Sequence, residues 1–301
     1  MTEAADSGAK TDDLLVESED GVLTVTFNRP EARNAMTWDM YMGLAEACET
    51  ADGDDSIRVM VLRGAGGKAF VAGTDIAQFT EFDGPAGVAY EKRISEVLAR
   101  LRAVNIPVIA AIDGYCVGGG LGIAACADVR VASPRARFGV PIARTLGNCL
   151  SGDTLGLLIE LLGRARVVDM LLRARFIEAD EALGAGFVGL VTEDIAEATA
   201  EWAATLKGHA PLTMWSVKEV VRRLSDSGGS VDMRTSSNES TVRRTSTTPC
   251  TRSSTRLPTN GAVAELFHAR SPVVGSHHLR VVAAEVAQVG CISEFLGRYR
   301  E

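Results

Sequence analysis

Two glycine-bearing segments have the composition to meet a negative charge with main-chain groups alone. The first is Ile112-Asp113-Gly114-Tyr115-Cys116-Val117-Gly118-Gly119-Gly120-Leu121, with three consecutive glycines where a strand-like run turns into a helix. Glycine lets a ligand approach the backbone closely. The unpaired N–H groups at a helix start, backed by its dipole, stabilise an anion. Such a turn suits a phosphate or a thioester oxyanion; its plain structural use is close helix–strand packing. A dinucleotide loop is excluded by register, because G-x-G-x-x-G from Gly118 needs a glycine where Ile123 stands, and no G-K-S or G-K-T is present. The second segment, Lys68-Ala69-Phe70-Val71-Ala72-Gly73-Thr74-Asp75-Ile76, follows an apolar run and also offers an open backbone, or a turn in which Asp75 caps a helix.

The elements that must hold these segments alternate along the chain. Residues 14–28 read as a strand, with Val22 to Phe27 half-buried, ending at Asn28-Arg29-Pro30. Thr37 or Asn34 can cap a helix running to about Ala51, with Met40, Leu44, Ala45 and Cys48 on one face. Further strands are expected at Arg58 to Leu62, Pro107 to Ile112, Val129 to Ala132 and Val188 to Val191. Helices are expected at 85–103, 121–127, 152–163, 165–174, 178–185, and as a pair within 195–225 around Pro211. This alternation implies an α/β core with crossover connections.

Composition removes several classes of function. A net charge of -8 gives no overall basic surface for nucleic acid or an anionic membrane. No run approaches the ~18 apolar residues of a membrane span. The six cysteines show no CxxC or CxxH spacing and no metal constellation exists, so free thiols in a reducing cytoplasm are expected. Residues 1–13 are small, polar and acidic, and read as a disordered N-terminus, not a signal peptide.

Taken together, the segments resemble the crotonase (enoyl-CoA hydratase/isomerase) superfamily. Asn28-Arg29-Pro30-Glu31-Ala32-Arg33-Asn34-Ala35 resembles its first motif, and Ala69 to Ile76 its first oxyanion loop. Gly114-Tyr115 with the glycine triplet and Cys126-Ala127-Asp128 resembles the second loop, and Phe138-Gly139-Val140-Pro141 and Ala179 to Val191 resemble later segments. The resemblance covers roughly residues 14–230. It implies an α/β fold, a crotonase-like spiral of ββα units over 14–200 with a helical C-terminal region over 201–233, in a homotrimer or a hexamer. The implied substrate is an acyl-CoA thioester. Coenzyme A enters as part of the substrate, with no tightly bound cofactor. The implied oxyanion donors are the N–H groups of Thr74 and Gly119, with the Thr74 side chain incidental, each donor being worth a few kcal/mol in related chemistry. Arg33, Ala35, Ala72, Asp75 and Ile76 fall where the family contacts CoA.

The resemblance also marks a departure. Family hydratases add water with two glutamates, and here those positions are Gly122 and Ile142, neither of which can move a proton. Asp153 is the carboxylate nearest the region where other members place a single acid, against the plainer use of capping a helix. Cys149 has no obvious histidine as base, since His209 alone precedes the tail, and Arg144 is either a cation for an acidic acyl group or a surface charge. The expected activity is therefore of the crotonase lyase or isomerase type without standard hydration. The alternative is a non-catalytic acyl-CoA-binding or structural protein.

From Arg234 to Asn260 Ser, Thr and Arg dominate and apolar periodicity vanishes, so 234–301 reads as an atypical, partly disordered tail with residual helical spacing at 281–298. Pairing each codon's third base with the next codon's first two permits, under suitable codon choices, the family's ending, S-A-D-F-H followed by D-A-V-H-A-F-V-D-K, so a shifted reading frame from about Arg234 is expected, against the plainer reading of a genuine flexible extension. The coding DNA tests this: the alternative frame after codon 233 should encode that pattern, and an early stop there would refute it.

Overall fold

The computed structural model describes residues 12–75, 84–145 and 150–226. The chain divides into two compact units, Met1–Arg222 and Arg223–Glu301, and the sheets belong to the first. In chain order the elements are β1 (Leu14–Glu19), β2 (Val22–Phe27), α1 (Trp38–Gly53), β3 (Val59–Gly64), β4 (Ala69–Val71), α2 (Gly84–Arg102), β5 (Val108–Ile112) and β6 (Tyr115–Val117). They continue with α3 (Gly119–Cys126), β7 (Val129–Ala132), β8 (Arg137–Gly139), α4 (Ile142–Thr145), α5 (Gly152–Leu162), α6 (Arg164–Leu172), β9 (Ile177–Glu178), α7 (Ala179–Gly184), β10 (Leu190–Val191), α8 (Ile195–Lys207) and α9 (Pro211–Asp226).

From β3 to β8 successive strands alternate between two sheets. The larger has the order β1-β2-β3-β5-β7-β10 and the smaller β4-β6-β8-β9. The larger is parallel except for the β1–β2 pair, and the smaller is parallel except for β8–β9. The chain therefore winds strand, strand, helix in repeated turns, which is the expected spiral. Central strands covered on both faces lose alternation, and Val59, Met60, Val61 and Leu62 of β3 are all buried. One large core joins α1, α2 and α3 to the sheets, and a smaller cluster places Ala203 of α8 on Val59, Val61 and Ile109.

Two expectations need correction. The single strand over 14–28 is a hairpin, in register from Leu14↔Phe27 to Glu19↔Val22. Its turn is Asp20-Gly21, with φ of 46° and 74°, the left-handed pair that Asp-Gly favours. Alternation continuing across the turn conceals it. The smaller sheet, by contrast, consists of two- and three-residue strands inside stretches that read as loop.

The expected helices are present, and Thr37, not Asn34, caps α1 by accepting from the Met40 N–H at 3.2 Å. Helix α9 is tied to the start of β5: Trp215 Nε1 donates to Asn105 Oδ1 at 2.9 Å, and Lys218 Nζ to the Ile106 carbonyl at 2.6 Å and Asp128 Oδ2 at 2.5 Å. Cys48, Cys116 and Cys126 are free, buried thiols, and burial pushes the Cys48 and Cys126 thiols up to about 12. The Asp12 and Asp13 carbonyls accept from the Asn28 side-chain amide and main-chain N–H at 2.8 and 2.7 Å. The expectations for 1–11, for 234–260 and for 281–298 lie outside the described residues. No helix among the described residues is long and apolar enough to cross a membrane.

Candidate functional site

The site is built from loops at the ends of the short strands. After β2 the chain passes through Arg33 and Asn34, both at positive φ (54° and 57°). Asn34 is fully buried and serves as a hub: its Oδ1 accepts from the Arg29 N–H at 2.9 Å, and its Nδ2 donates to the Ala65 and Ala69 carbonyls at 3.0 and 2.7 Å. This locks the loop onto β4. Stripping a buried amide that satisfies three main-chain groups leaves those groups unpaired. Asn34→Ala should therefore destabilise the fold by about 2–4 kcal/mol in a denaturant titration, and a loss below about 0.5 kcal/mol would contradict the hub.

The loop after β4 runs beside it. Met36 N–H donates to the Gly73 carbonyl at 2.9 Å and Asp75 N–H to the Met36 carbonyl at 3.0 Å, so Met36 and Thr74 form a parallel bridge. In such a bridge the groups of the flanked residue point the other way. The Thr74 N–H thus faces away from Met36 and has no protein acceptor among the described residues. Arg29 fastens the arrangement, donating to the Ala35 carbonyl at 2.8 Å and Asp75 Oδ2 at 3.0 Å. The Asp75 carboxylate is therefore bound to Arg29.

The glycine triplet comes up against this loop. Gly118 has φ 56° and ψ -120°, a backbone open only to glycine. Its N–H donates to the Gly139 carbonyl of β8 at 2.9 Å. A Cβ on Gly118 would lie 3.4 Å from the Gly73 Cα, so the two loops touch through their glycines. Gly119 is the first residue of α3, and its N–H likewise has no protein acceptor among the described residues. A Cβ there would lie 3.3 Å from Thr74 Oγ1. Gly120 packs so tightly on Val71 that any side chain would strike its carbonyl. The two sequence segments are thus brought together, with Thr74 and Gly119 as neighbours.

The far end of α3 is held by a buried cation. Arg130 Nη1 donates to the Ala124 and Ala127 carbonyls at 3.1 and 2.7 Å, its Nε to the Phe187 carbonyl, and its guanidinium lies 4.7 Å from the Phe187 ring centroid. Burial pulls this guanidinium down to about 10, which leaves it charged at neutral pH. A cation at the C-terminus of α3 favours the same dipole that is positive at Gly119. Arg130 did not stand out in the sequence; a charged residue amid the apolar run Val129 to Ala132 was its only signal.

The remaining candidates are more scattered. Arg33 is exposed, its guanidinium 5.8 Å from the Tyr115 ring centroid, and Ala35 and Ala72 line the loops already described. Gly122 lies on α3, and a Cβ there would meet Leu98 Cδ1 at 3.2 Å and Thr154 Cγ2 at 3.7 Å. Ile142 opens α4 and packs against the core. Ser151, not Asp153, caps α5, accepting from the Thr154 N–H at 3.2 Å. Asp153 is exposed in the first turn, beside the threonine that faces Gly122. Arg144 is exposed on α4, and the His209 carbonyl accepts from Arg58. Ile76 and Cys149 lie outside the described residues. Among the described residues no cluster of three His, Cys, Asp or Glu could hold a metal ion.

Comparison with known proteins agrees with the fold. Residues 17–246 match the family model described as enoyl-CoA hydratase/isomerase. The short-chain-enoyl-CoA hydratase of Clostridium acetobutylicum is 34% identical over 212 residues, covering 70% of this chain and 81% of that protein. The 2,3-dehydroadipyl-CoA hydratase of Escherichia coli is 35% identical over 213 residues, covering 70% and 82%. Among solved structures, an enoyl-CoA hydratase/carnithine racemase from Magnetospirillum magneticum superposes with a TM-score of 0.72 at 33% identity, covering 89% of this chain and 97% of that one. With its spiral of alternating strands and its paired glycine loops, the chain belongs to the enoyl-CoA hydratase/isomerase family of the crotonase superfamily.

Proposed function

We propose that this protein binds an acyl-CoA thioester and stabilises negative charge on the thioester oxygen with the N–H groups of Thr74 and Gly119. The observation that carries the reading is the contact between the Gly73-Thr74 and Gly118-Gly119 loops, with both amides lacking a protein acceptor among the described residues. Preorganised donors aimed at a developing oxyanion cost no reorganisation during reaction. They would lower the energy of the enolate formed when a bond to the α-carbon breaks. Arg33, Ala35, Ala72, Asp75 and Ile76 would line the path of the CoA moiety; for Asp75 this would be through its main chain, since its carboxylate holds Arg29.

Gly122 and Ile142 supply no carboxylate, so the reading is crotonase-type lyase or isomerase chemistry without two-glutamate hydration. Asp153, exposed in the first turn of α5, is the proposed proton carrier as the carboxylate nearest this region in the sequence. The lack of a carboxylate at Gly122 and Ile142 favours a second reading, acyl-CoA binding without turnover. The cytoplasmic setting belongs to the proposal, supported by the free buried thiols, as does a homotrimer or hexamer, which light scattering would measure.

The test is incubation with a panel of acyl- and enoyl-CoA esters followed by mass spectrometry. Product formation that Asp153→Asn abolishes supports the enzyme. Binding without any product supports the second reading, and no binding of any ester refutes both.

A further inference from the structure

We propose that Tyr41 and Thr74 are positioning residues, a hydroxyl pair that sets the spacing between the two oxyanion donors. The inference rests on the reading just given and goes beyond it, because the resemblance treats the Thr74 side chain as incidental. Tyr41 lies on α1 and is completely buried, with its phenol oxygen 3.1 Å from Thr74 Oγ1. The same oxygen lies so close to Gly119 that a Cβ there would collide with it, while Tyr41 Cζ would be 3.7 Å from that Cβ. The pair therefore touches both donor residues: it is covalently part of one and in van der Waals contact with the other.

The 3.1 Å hydroxyl contact ties the buried Tyr41 phenol to the Thr74 side chain. Helix α1 then acts as a strut. It fixes the Thr74 loop by the hydroxyl bond and sets how closely α3 can approach that loop. Misplacing a reacting group by about 1 Å can lower a rate by ~10²-fold, so a rigid separation between donors bears directly on charge stabilisation.

The test uses the full-length protein and acetoacetyl-CoA, whose enolate has its own ultraviolet band. Two quantities are read: the enolate-to-keto ratio of the saturated complex, and the dissociation constant for CoA itself. Tyr41→Phe and Thr74→Val should each lower the ratio about threefold to tenfold, the range for one hydrogen bond, with CoA affinity unchanged. Thr74→Ser should keep the wild-type ratio, and the double variant should fall no further than the singles. Wild-type ratios in both single variants would overturn the inference, as would a parallel loss of CoA affinity, which marks a merely structural role. A wild-type complex with no enolate band would instead remove the oxyanion reading itself.

Discussion

Crotonyl-CoA should not be hydrated by this protein at a rate typical of a two-glutamate hydratase, and Gly122→Glu combined with Ile142→Glu should create that activity. Each general acid or base typically contributes ~10²–10⁴-fold, so the double variant should gain at least about 10²-fold, and each single variant much less. Among the described residues a Cβ at Gly122 meets Leu98 Cδ1 at 3.2 Å, a side-chain end that must give by a few tenths of an ångström, and a Thr154 methyl at 3.7 Å. Ile142 is already partly exposed at the start of α4, where a longer polar side chain can reach solvent or substrate. Loss of enoyl-thioester absorbance measures the rate. A competent rate from the unaltered protein would reveal a further acid in the site. A double variant with an unchanged melting curve and no gain would show that these positions do not face the acyl chain.

The second large effect is a rescue. Gly119→Ala places its Cβ against the Tyr41 hydroxyl, and overpacking of this kind costs roughly 1–3 kcal/mol. In a Tyr41→Phe background that oxygen is gone, the nearest ring carbon lies at 3.7 Å, and Thr74 Oγ1 at 3.3 Å is the remaining tight contact among the described residues. The alanine should then cost much less, giving a coupling of about 1–2 kcal/mol in a denaturant double-mutant cycle. Additive losses would show that the phenol does not bear on Gly119.

The elements with strong periodicity were legible in the sequence, and those defined by tertiary pairing were not. Helix α1 is announced by Thr37 and its apolar face, and β3 by its unbroken apolar run. The two- and three-residue strands β4, β6, β8 and β9 exist because neighbouring loops pair across the spiral, and no local pattern marks three residues such as Tyr115 to Val117. The glycine triplet was legible as a special backbone, because Gly118 needs a conformation only glycine adopts and its loop meets Gly73. Asn34 misled: its type suits a helix cap, but its side chain bridges Arg29, Ala65 and Ala69, residues up to 35 positions away. Tyr41 was invisible as part of the site, since an aromatic on the buried stripe of a helix reads as core until its oxygen is seen 3.1 Å from Thr74.

The most direct test of the oxyanion site is a crystal structure of the protein with a bound acyl-CoA thioester. The thioester oxygen should lie about 2.7–3.1 Å from both the Thr74 and the Gly119 main-chain nitrogens. A thioester oxygen held by other groups, or facing only one of the two amides, would contradict the oxyanion site on which the proposed function stands.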